Sequence, residues 1–248
     1  MNCARFRFYE ELNDFLPPER RKKEFTFNFN GNPSVKDAIE DIGIPHTEID
    51  LIIVNGNSVG FDYHIQNDDH ISIYPVFETI DISPIIKLRP KPLRNPKFIL
   101  DAHLGKLARL LRMLGFDAVY NNDIDDKEII QISIDDNRII LTRDIGILKH
   151  RSVTHGYFVK SEIPMKQIIE VIDRFDLESR IKPFHRCILC NGKINQVDKK
   201  KILDLIPAKT ADDFDKFYKC SGCNKIYWEG SHYDRMKDQI KGILSRIS

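Results

Sequence analysis

The sequence has no long hydrophobic run, whereas a transmembrane helix needs about 18 consecutive apolar residues. Its first 25 residues, MNCARFRFYEELNDFLPPERRKKEF, carry charges early and lack the apolar segment of a signal peptide. Internal repeats and low-complexity tracts are missing as well. These absences argue against a membrane-spanning or secreted protein, and we expect a globular cytoplasmic one.

The net charge is also small, at +1 over 248 residues, but it is unevenly distributed. Residues 1–80 contain 7 Lys/Arg and 14 Asp/Glu, whereas residues 81–248 contain 31 Lys/Arg and 23 Asp/Glu. An acidic first part and a basic remainder indicate separate modules, and the basic part suits a polyanionic partner. An ordinary mixed surface would explain the charges equally well.

Residues 1–80 have the pattern of a small sheet crossed by one helix. ARFRFYEEL and KEFTFNFNG alternate apolar and polar residues, as half-buried strands do. A helix follows, with Ser34 as its N-cap and Gly43 at its end. The next two strands are joined at Asn55-Gly56, which is typical of a tight hairpin turn, and DDHISIYPVF forms the last strand. This order predicts a β-grasp module.

Residues 81–96 are rich in proline and in basic residues. Proline restricts itself and the preceding residue to extended conformations. We predict a linker, or equally an extended strap that lies on the next domain.

Residues 97–184 alternate short apolar strands with amphipathic helices. Helices are predicted over residues 102–115, 126–136 and 164–175, with strands at KFIL, DAVYNN, NRIILTRD and HGYFVK. Such alternation requires crossover connections and a mainly parallel sheet.

Acidic residues follow three of these strands. Asp101 comes directly after KFIL, and Asp144 after IILTR; Asp123, Asp125, Asp126 and Glu128 lie between the second strand and its helix. Ligands of open parallel sheets bind at the carboxyl ends of the strands. Carboxylates brought together there repel unless a cation intervenes, and Mg²⁺ prefers oxygen ligands. The pattern suits metal-assisted phosphodiester hydrolysis.

Each carboxylate has a simpler interpretation as a helix cap. Asp125, with Glu128 three residues later, has the spacing of a capping box, and Asp144 could cap the short helix IGILKH. Only the shared sheet edge favours the functional interpretation.

Basic residues near these acids are candidates for substrate contact. Lys106, Arg109 and Arg112, spaced three apart, are predicted to share one face of the first helix. Arg143 could bind substrate or form a structural salt bridge, and His103 is best explained as an exposed residue of the first turn.

Four of the five cysteines form two pairs, CILC at 187–190 and CSGC at 220–223. Two such turns can supply the four thiolates of a structural zinc site. Cys187, Cys190, Cys220 and Cys223 are therefore predicted zinc ligands, with disulfides or free thiols as the alternatives. The spacer of 29 residues leaves room for an inserted helix, either KKKILDLI or ADDFDKFYK.

Aromatic and basic residues are interleaved after the second cysteine pair, namely Tyr227, Trp228, His232, Tyr233, Arg235 and Lys237. Such interleaving can stack bases and bind phosphate. Packing of Trp228 in a small core beside the zinc is the other interpretation.

Residues 97–236, through FILDAHLGKLARLLRMLGFDAVYNNDIDDKEI, RIILTRDIGIL and YWEGSHYDRM, resemble the Mut-seven-C RNase family, a branch of the PIN-like nuclease fold. The resemblance implies a parallel sheet flanked by helices, RNA as substrate and a C-terminal zinc ribbon over residues 185–248. It places Asp101, Asp126 and Asp144 as catalytic ligands of Mg²⁺ or Mn²⁺, with Asp123 and Asp125 as further candidates. Lys106, Arg109 and Arg143 become candidates for RNA contact.

Residues 1–80 are similar to the ubiquitin-like module that often precedes this domain. They also resemble small sulfur carriers but have no Gly-Gly after the last strand, so we expect an interaction module, with a possible protein partner, or a structural role. We predict a metal-dependent ribonuclease; the alternative is a catalytically inactive RNA-binding or adaptor protein.

Overall fold

Short strands and helices alternate along the chain, and the computed structural model describes them for residues 1–75 and 96–247. In chain order they are β1 (Asn2–Phe8), β2 (Phe25–Phe29), α1 (Val35–Ile42), β3 (Ile49–Val54), β4 (Asn57–Val59), β5 (His70–Pro75), β6 (Lys97–Leu100), α2 (Gly105–Met113), β7 (Asp117–Val119), α3 (Asp126–Asp136), β8 (Ile139–Thr142), α4 (Ile145–Lys149), β9 (Gly156–Phe158), α5 (Pro164–Arg174), β10 (Ile194–Val197), α6 (Ala208–Asp213), β11 (Phe217–Cys220), β12 (Ile226–Trp228) and α7 (Ser231–Ile247). The predicted linker and the stretch just before it lie outside the described residues.

The chain forms two compact units. Unit 1 comprises Met1–Asn95 and Asp144–Phe158, and unit 2 comprises Pro96–Arg143 and Val159–Ser248. The first unit therefore combines the N-terminal module with a segment from the middle of the chain.

Unit 1 contains a five-stranded sheet in the order β2-β1-β5-β3-β4. Strand β1 pairs with β5 in parallel, and the remaining pairings are antiparallel. The helix α1 lies between β2 and β3 in sequence, as the β-grasp prediction requires. Alternating residues of β1, among them Phe6 and Phe8, are buried in its core.

Local signals set the ends of α1. The Ser34 hydroxyl accepts the Asp37 N–H at 3.1 Å, and Asp37 accepts the Ser34 N–H in return, which completes a capping box. Gly43 ends the helix with a φ of 119°, a left-handed conformation that favours glycine. Both ends confirm the sequence prediction.

The segment 144–158 packs against the N-terminal module inside unit 1. Glu48, which is buried, accepts the backbone N–H of Phe158 at 2.8 Å. The Nε2 atom of His46, also buried, lies 2.7 Å from the carbonyl oxygen of Val153. These polar groups of the module are thus satisfied by backbone groups distant in sequence.

Unit 2 is built on parallel strands in the order β7-β6-β8. Phe98 of β6 is in register with Ala118 of β7 and with Ile139 of β8. All residues of β8 are buried, as expected for a parallel strand covered on both faces. Helix α2 flanks this sheet and packs against α5, so the predicted parallel sheet with flanking helices is confirmed.

The C-terminal part of unit 2 is a three-stranded antiparallel sheet in the order β10-β11-β12. Helix α6 lies between β10 and β11, which confirms an inserted helix in the long cysteine spacer. Its residues, Ala208–Asp213, overlap the second of the two predicted segments, while the first forms short 3₁₀ turns. Of the helices that the structure describes, none is both long and apolar enough to cross a membrane.

Candidate active site and metal centre

Asp101 lies at the carboxyl end of β6, the strand between β7 and β8. Its side chain is 8% exposed, and its Oδ2 accepts the hydroxyl of Thr142, the last residue of β8, at 2.9 Å. Its backbone N–H donates to the Leu141 carbonyl at 3.1 Å. The parallel pairing of β6 and β8 therefore holds this carboxylate at the predicted sheet edge.

The second acidic group opens helix α3. Asp125 is the N-cap and accepts the Glu128 N–H at 2.8 Å, so its capping role is confirmed. Asp126 is the first helical residue, and Asp123 and Asp126 are exposed. Acidic residues in the first turn also favour the helix through its dipole.

Asp144 begins the short helix α4 in unit 1. Its Oδ1 accepts the Gly146 N–H at 2.6 Å, which confirms the capping interpretation. A cap of this kind does not exclude a second role, since a carboxylate has further lone pairs.

The carboxylates and the cysteines differ in how closely their ligand atoms approach. Among the described residues, one group of three or more potential metal ligands has converging ligand atoms, which all lie within 4.8 Å of one another. It consists of Cys187, Cys190, Cys220 and Cys223. The carboxylates do not belong to that group, so their shared cation remains a prediction.

Two of the predicted basic contacts on helix α2, Lys106 and Arg109, are exposed, as is His103 just before the helix. Arg112 is different: it is 5% exposed, and its Nε donates to the Ala118 carbonyl at 2.7 Å. Its placement on the same face as the other two was wrong. Six residues of an α-helix turn the chain through about 600°, so Arg112 lies well away from Lys106.

Arg143 has structural partners within unit 2. Its guanidinium donates to the Lys160 carbonyl at 2.7 Å and to the Glu162 carboxylate at 3.0 Å. These contacts are the structural salt bridge that the sequence left open, and a contact with substrate remains a prediction.

The four cysteine sulfurs converge between the two Cys-x-x-Cys turns. The Sγ atoms of Cys187 and Cys223 are 3.7 Å apart, and those of Cys190 and Cys220 are 3.3 Å apart. Four thiolates bound tetrahedrally at about 2.3 Å from zinc would be about 3.8 Å apart. All five cysteines of the chain are free thiols, so the arrangement fits a closed four-sulfur metal site better than disulfides.

Glycine is required beside these sulfurs. A Cβ atom on Gly192 would lie 2.8 Å from the Cys220 Sγ and 3.0 Å from the backbone nitrogen of Gly222. The two turns can therefore approach each other only with hydrogen at this position.

The environment of Cys187 favours its thiolate. Burial alone raises the pKa of this thiol, but hydrogen bonds from the Tyr227 hydroxyl and from the backbone N–H groups of Cys190 and Leu189 lower the pKa to about 6. The Tyr227 oxygen is 2.9 Å from the sulfur. Because metals bind the thiolate, these contacts prepare the site for a cation.

Asp117 was not singled out by the sequence, yet it joins the parallel sheet to the cysteine-bearing turn. It accepts Arg138 at 2.7 Å, Arg186 at 2.9 Å and the Asn191 amide at 2.7 Å. Burial raises the pKa of Asp117, but the hydrogen bonds from Arg138 and Asn191 outweigh it and hold the pKa below its usual value. No local signal reveals this role, because the partners are up to 74 residues away.

The geometry defines a class: an α/β domain with an acidic strand edge, followed by a ribbon with a possible metal centre and preceded by a β-grasp module. Residues 96–240 match the family model of the Mut7-C RNAse domain, and residues 1–81 match that of the Mut7-C ubiquitin domain. The first match covers more than half of the chain, which therefore belongs to the Mut7-C RNAse domain family. No match to a curated protein or to a solved structure was found.

Proposed function

We propose that the protein is a metal-dependent ribonuclease that hydrolyses RNA phosphodiester bonds, with Asp101, Asp126 and Asp144 as ligands of Mg²⁺ or Mn²⁺. The observation that carries the proposal is the position of Asp101 in a domain of an RNase family. It is a nearly buried carboxylate at the carboxyl end of the central parallel strand.

The chemistry of the donors fits a hard cation. Carboxylate oxygens are the ligands that Mg²⁺ takes in phosphoryl-transfer sites. When bound, the cation activates water and neutralises charge on the phosphate. Thr142 fixes one oxygen of Asp101, while Asp123 and Asp125 lie in the loop that leads to Asp126.

The exposed residues of helix α2 serve substrate binding in this proposal. Lys106 and Arg109 would contact RNA phosphates, and Arg143, held by backbone carbonyls, would add positive charge nearby. Binding through phosphates weakens as salt rises, because counterions are released.

The four cysteines hold one structural zinc in the proposal. All four positions of a tetrahedral shell are filled by sulfur, so no position is open for water or substrate. The zinc then stabilises the ribbon and takes no part in hydrolysis.

A single-turnover cleavage assay with Mn²⁺ or Mg²⁺ tests the proposal. Asp101→Asn keeps the shape of the side chain and its bond from Thr142 while removing the charge, so we expect a loss of about a hundredfold or more in rate. Asp212→Asn, an exposed acid of helix α6, is the matched control and should cleave like the wild type. Identical purification of the three proteins excludes contaminating nucleases.

The alternative, an inactive RNA-binding or adaptor protein, is favoured by one observation. The carboxylates lie outside the group of converging ligand atoms among the described residues. That alternative predicts RNA binding without metal-dependent cleavage. Equal cleavage by wild type, Asp101→Asn, Asp126→Asn and Asp144→Asn would overturn the site assignment.

A further inference from the structure

A cavity of about 320 Å³ opens beside the cysteine cluster in unit 2. Its walls are unusually rich in aromatic rings, which come from the segment before the first cysteine, from the ribbon strands and from the start of α7. The aromatic lining residues are Phe184, Tyr218, Tyr227, Trp228 and Tyr233. The cavity has no role in the proposed hydrolysis, and Asp101, Asp126 and Asp144 are not among its lining residues.

Several of these rings are held in place by the surrounding structure. The Tyr227 hydroxyl is bound to the Cys187 sulfur, and Tyr233 lies against Phe184 with ring centroids 4.6 Å apart. Phe184 has a φ of 62°, a left-handed conformation that a bulky residue rarely adopts. Its N–H nevertheless donates to the Met113 carbonyl, so helix α2 fixes this backbone. Such preorganised aromatic walls favour a flat ligand.

The polar part of the lining has a distinct chemistry. Glu229 contributes an exposed carboxylate, whose Oε1 is 3.5 Å from the Tyr218 hydroxyl. Arg186 also lines the cavity, but its guanidinium is engaged by Asp117 and the Asn191 carbonyl. The cavity thus offers a ligand the Glu229 carboxylate as a hydrogen-bond acceptor, whereas the Arg186 guanidinium is already paired with Asp117.

The surroundings are basic. Residues 185–248 contain 13 Lys/Arg and 8 Asp/Glu, a net charge of +5, and the Lys225 ammonium lies 5.8 Å from the Tyr227 ring centroid. A positive field around aromatic walls is the usual surface for single-stranded nucleic acid.

We propose that this cavity binds an unpaired guanine base, stacked among the aromatic rings and held at its edge by the Glu229 carboxylate. Guanine is the RNA base with two adjacent donors, N1–H and N2–H, on its Watson–Crick edge. Adenine, cytosine and uracil each offer fewer donors there. The proposal that the base belongs to an RNA strand rests on the proposed ribonuclease function, whereas the affinity for guanine does not.

Trp228 makes the site directly observable, since it is the single tryptophan of the chain. The ¹⁵N-labelled full-length protein therefore gives one indole N–H signal, located in the cavity wall. Titration with guanosine 5′-monophosphate should shift this signal saturably. The other three mononucleotides should bind about tenfold more weakly, the order expected for one bidentate base contact. Ribose 5-phosphate, which lacks a base, should leave the signal in place.

Two variants separate the contact between Glu229 and the guanine edge from nonspecific binding. Glu229→Gln should lower the affinity for guanosine monophosphate about tenfold, to the level of the other nucleotides. Asp234→Asn is the matched control, an exposed acid close in sequence that does not line the cavity, and should bind like the wild type.

Three results would overturn the assignment. They are an equal shift by ribose 5-phosphate, no preference for guanine, and a shift caused by an aromatic peptide but not by guanosine monophosphate. The last would identify a protein ligand. Because no cleavage is measured, binding without ribonuclease activity would refute the proposed function alone, and cleavage without an indole shift would refute the cavity alone.

Discussion

The Arg112 guanidinium lies 2.8 Å from the carbonyl oxygen of Leu189, so helix α2 is bonded directly to the first Cys-x-x-Cys turn. The same side chain donates to the carbonyl of Ala118, the middle residue of strand β7. A buried guanidinium with several donors can satisfy carbonyls of two separate segments. The bond explains why an arginine is buried here and is not part of the exposed helix face.

Replacing Arg112 with Ala should therefore destabilise the protein. The change leaves the buried Ala118 carbonyl and the partly buried Leu189 carbonyl without their donor, and we expect a loss of about 2–4 kcal/mol in the free energy of unfolding. Arg109→Ala, three residues away on the exposed face, should change it by less than about 0.5 kcal/mol. Urea unfolding at neutral pH measures both. Equal effects of the two variants would show that the contacts of Arg112 contribute nothing.

Local patterns in the sequence were sufficient to predict helix starts and caps, but they did not predict which residues form hydrogen bonds over long distances in the chain. The acidic start of α3 and the cap at Ser34 follow from residues within one turn, and both are confirmed. Arg112 and Asp117 look like ordinary surface charges in the sequence. Both bind a turn that lies about 70 residues away along the chain, and no periodicity encodes that distance.

The metal site could be predicted because its chemistry is local. Two Cys-x-x-Cys pairs define the four ligands by spacing alone, and the structure brings their sulfurs together. The acidic site is a weaker prediction, because the spacing of aspartates does not distinguish a metal ligand from a helix cap. Asp125 and Asp144 are confirmed as caps, and an Asp at a helix start has the same local sequence whether or not it also binds a cation.

Purified protein should contain about one equivalent of zinc by elemental analysis, and Cys190→Ser should unfold the C-terminal segment. A finer test is Gly192→Ala, which would place a methyl group 2.8 Å from the Cys220 sulfur and should weaken zinc binding at least tenfold. Gly242→Ala is the control, since a Cβ in that helix meets nothing within 4 Å. It should retain zinc and stabilise α7 by up to about 1 kcal/mol. Zinc-free wild-type protein, prepared without chelator, would refute the site.

Asp117→Asn should make stability less dependent on acid pH. The pKa of this carboxyl is lowered in the folded protein. Its ionised form therefore contributes fully to folding stability above the unfolded pKa of about 3.9. This contribution is lost as pH falls from there through the lower folded pKa. At pH 7 we expect the variant to be about 2–4 kcal/mol less stable, because Arg138 and Arg186 lose their partner.

The difference in unfolding free energy between Asp117→Asn and the wild type should then shrink as the pH is lowered through that window. Any zinc held by the proposed four-cysteine site would be released from both proteins in acid, because its thiolate ligands become protonated. The difference between the two unfolding free energies therefore reports mainly on the carboxyl. A difference that stays constant down to the lowest pH would contradict the assignment.

Glu48 is expected to hold the segment 144–158 inside unit 1. Glu48→Ala leaves the N–H of Phe158 without its acceptor, and a buried unsatisfied donor costs about 1–3 kcal/mol. Glu48→Gln retains a carbonyl oxygen and should lose less. Hydrogen exchange of the Phe158 amide in the full-length protein reports the change directly, with the exposed Glu19→Gln as control. Unchanged protection of that amide in Glu48→Ala would show that the contact is dispensable.

Thr142 should act as a positioning residue for the proposed catalytic carboxylate, since its hydroxyl donates to Asp101 at 2.9 Å. Thr142→Val keeps the branched shape of the buried strand residue and removes the donor. With that oxygen of Asp101 no longer fixed, we expect the cleavage rate at saturating RNA to fall about tenfold, while RNA affinity stays the same because Lys106 and Arg109 are untouched. Thr142→Ser restores the hydroxyl and should recover most of the rate, which loss of stability alone would not explain. If Val and Ser variants cleave equally, the hydroxyl has no part in orienting Asp101. If Val instead weakens RNA binding without changing the maximal rate, Asp101 contributes to substrate affinity and not to the chemical step.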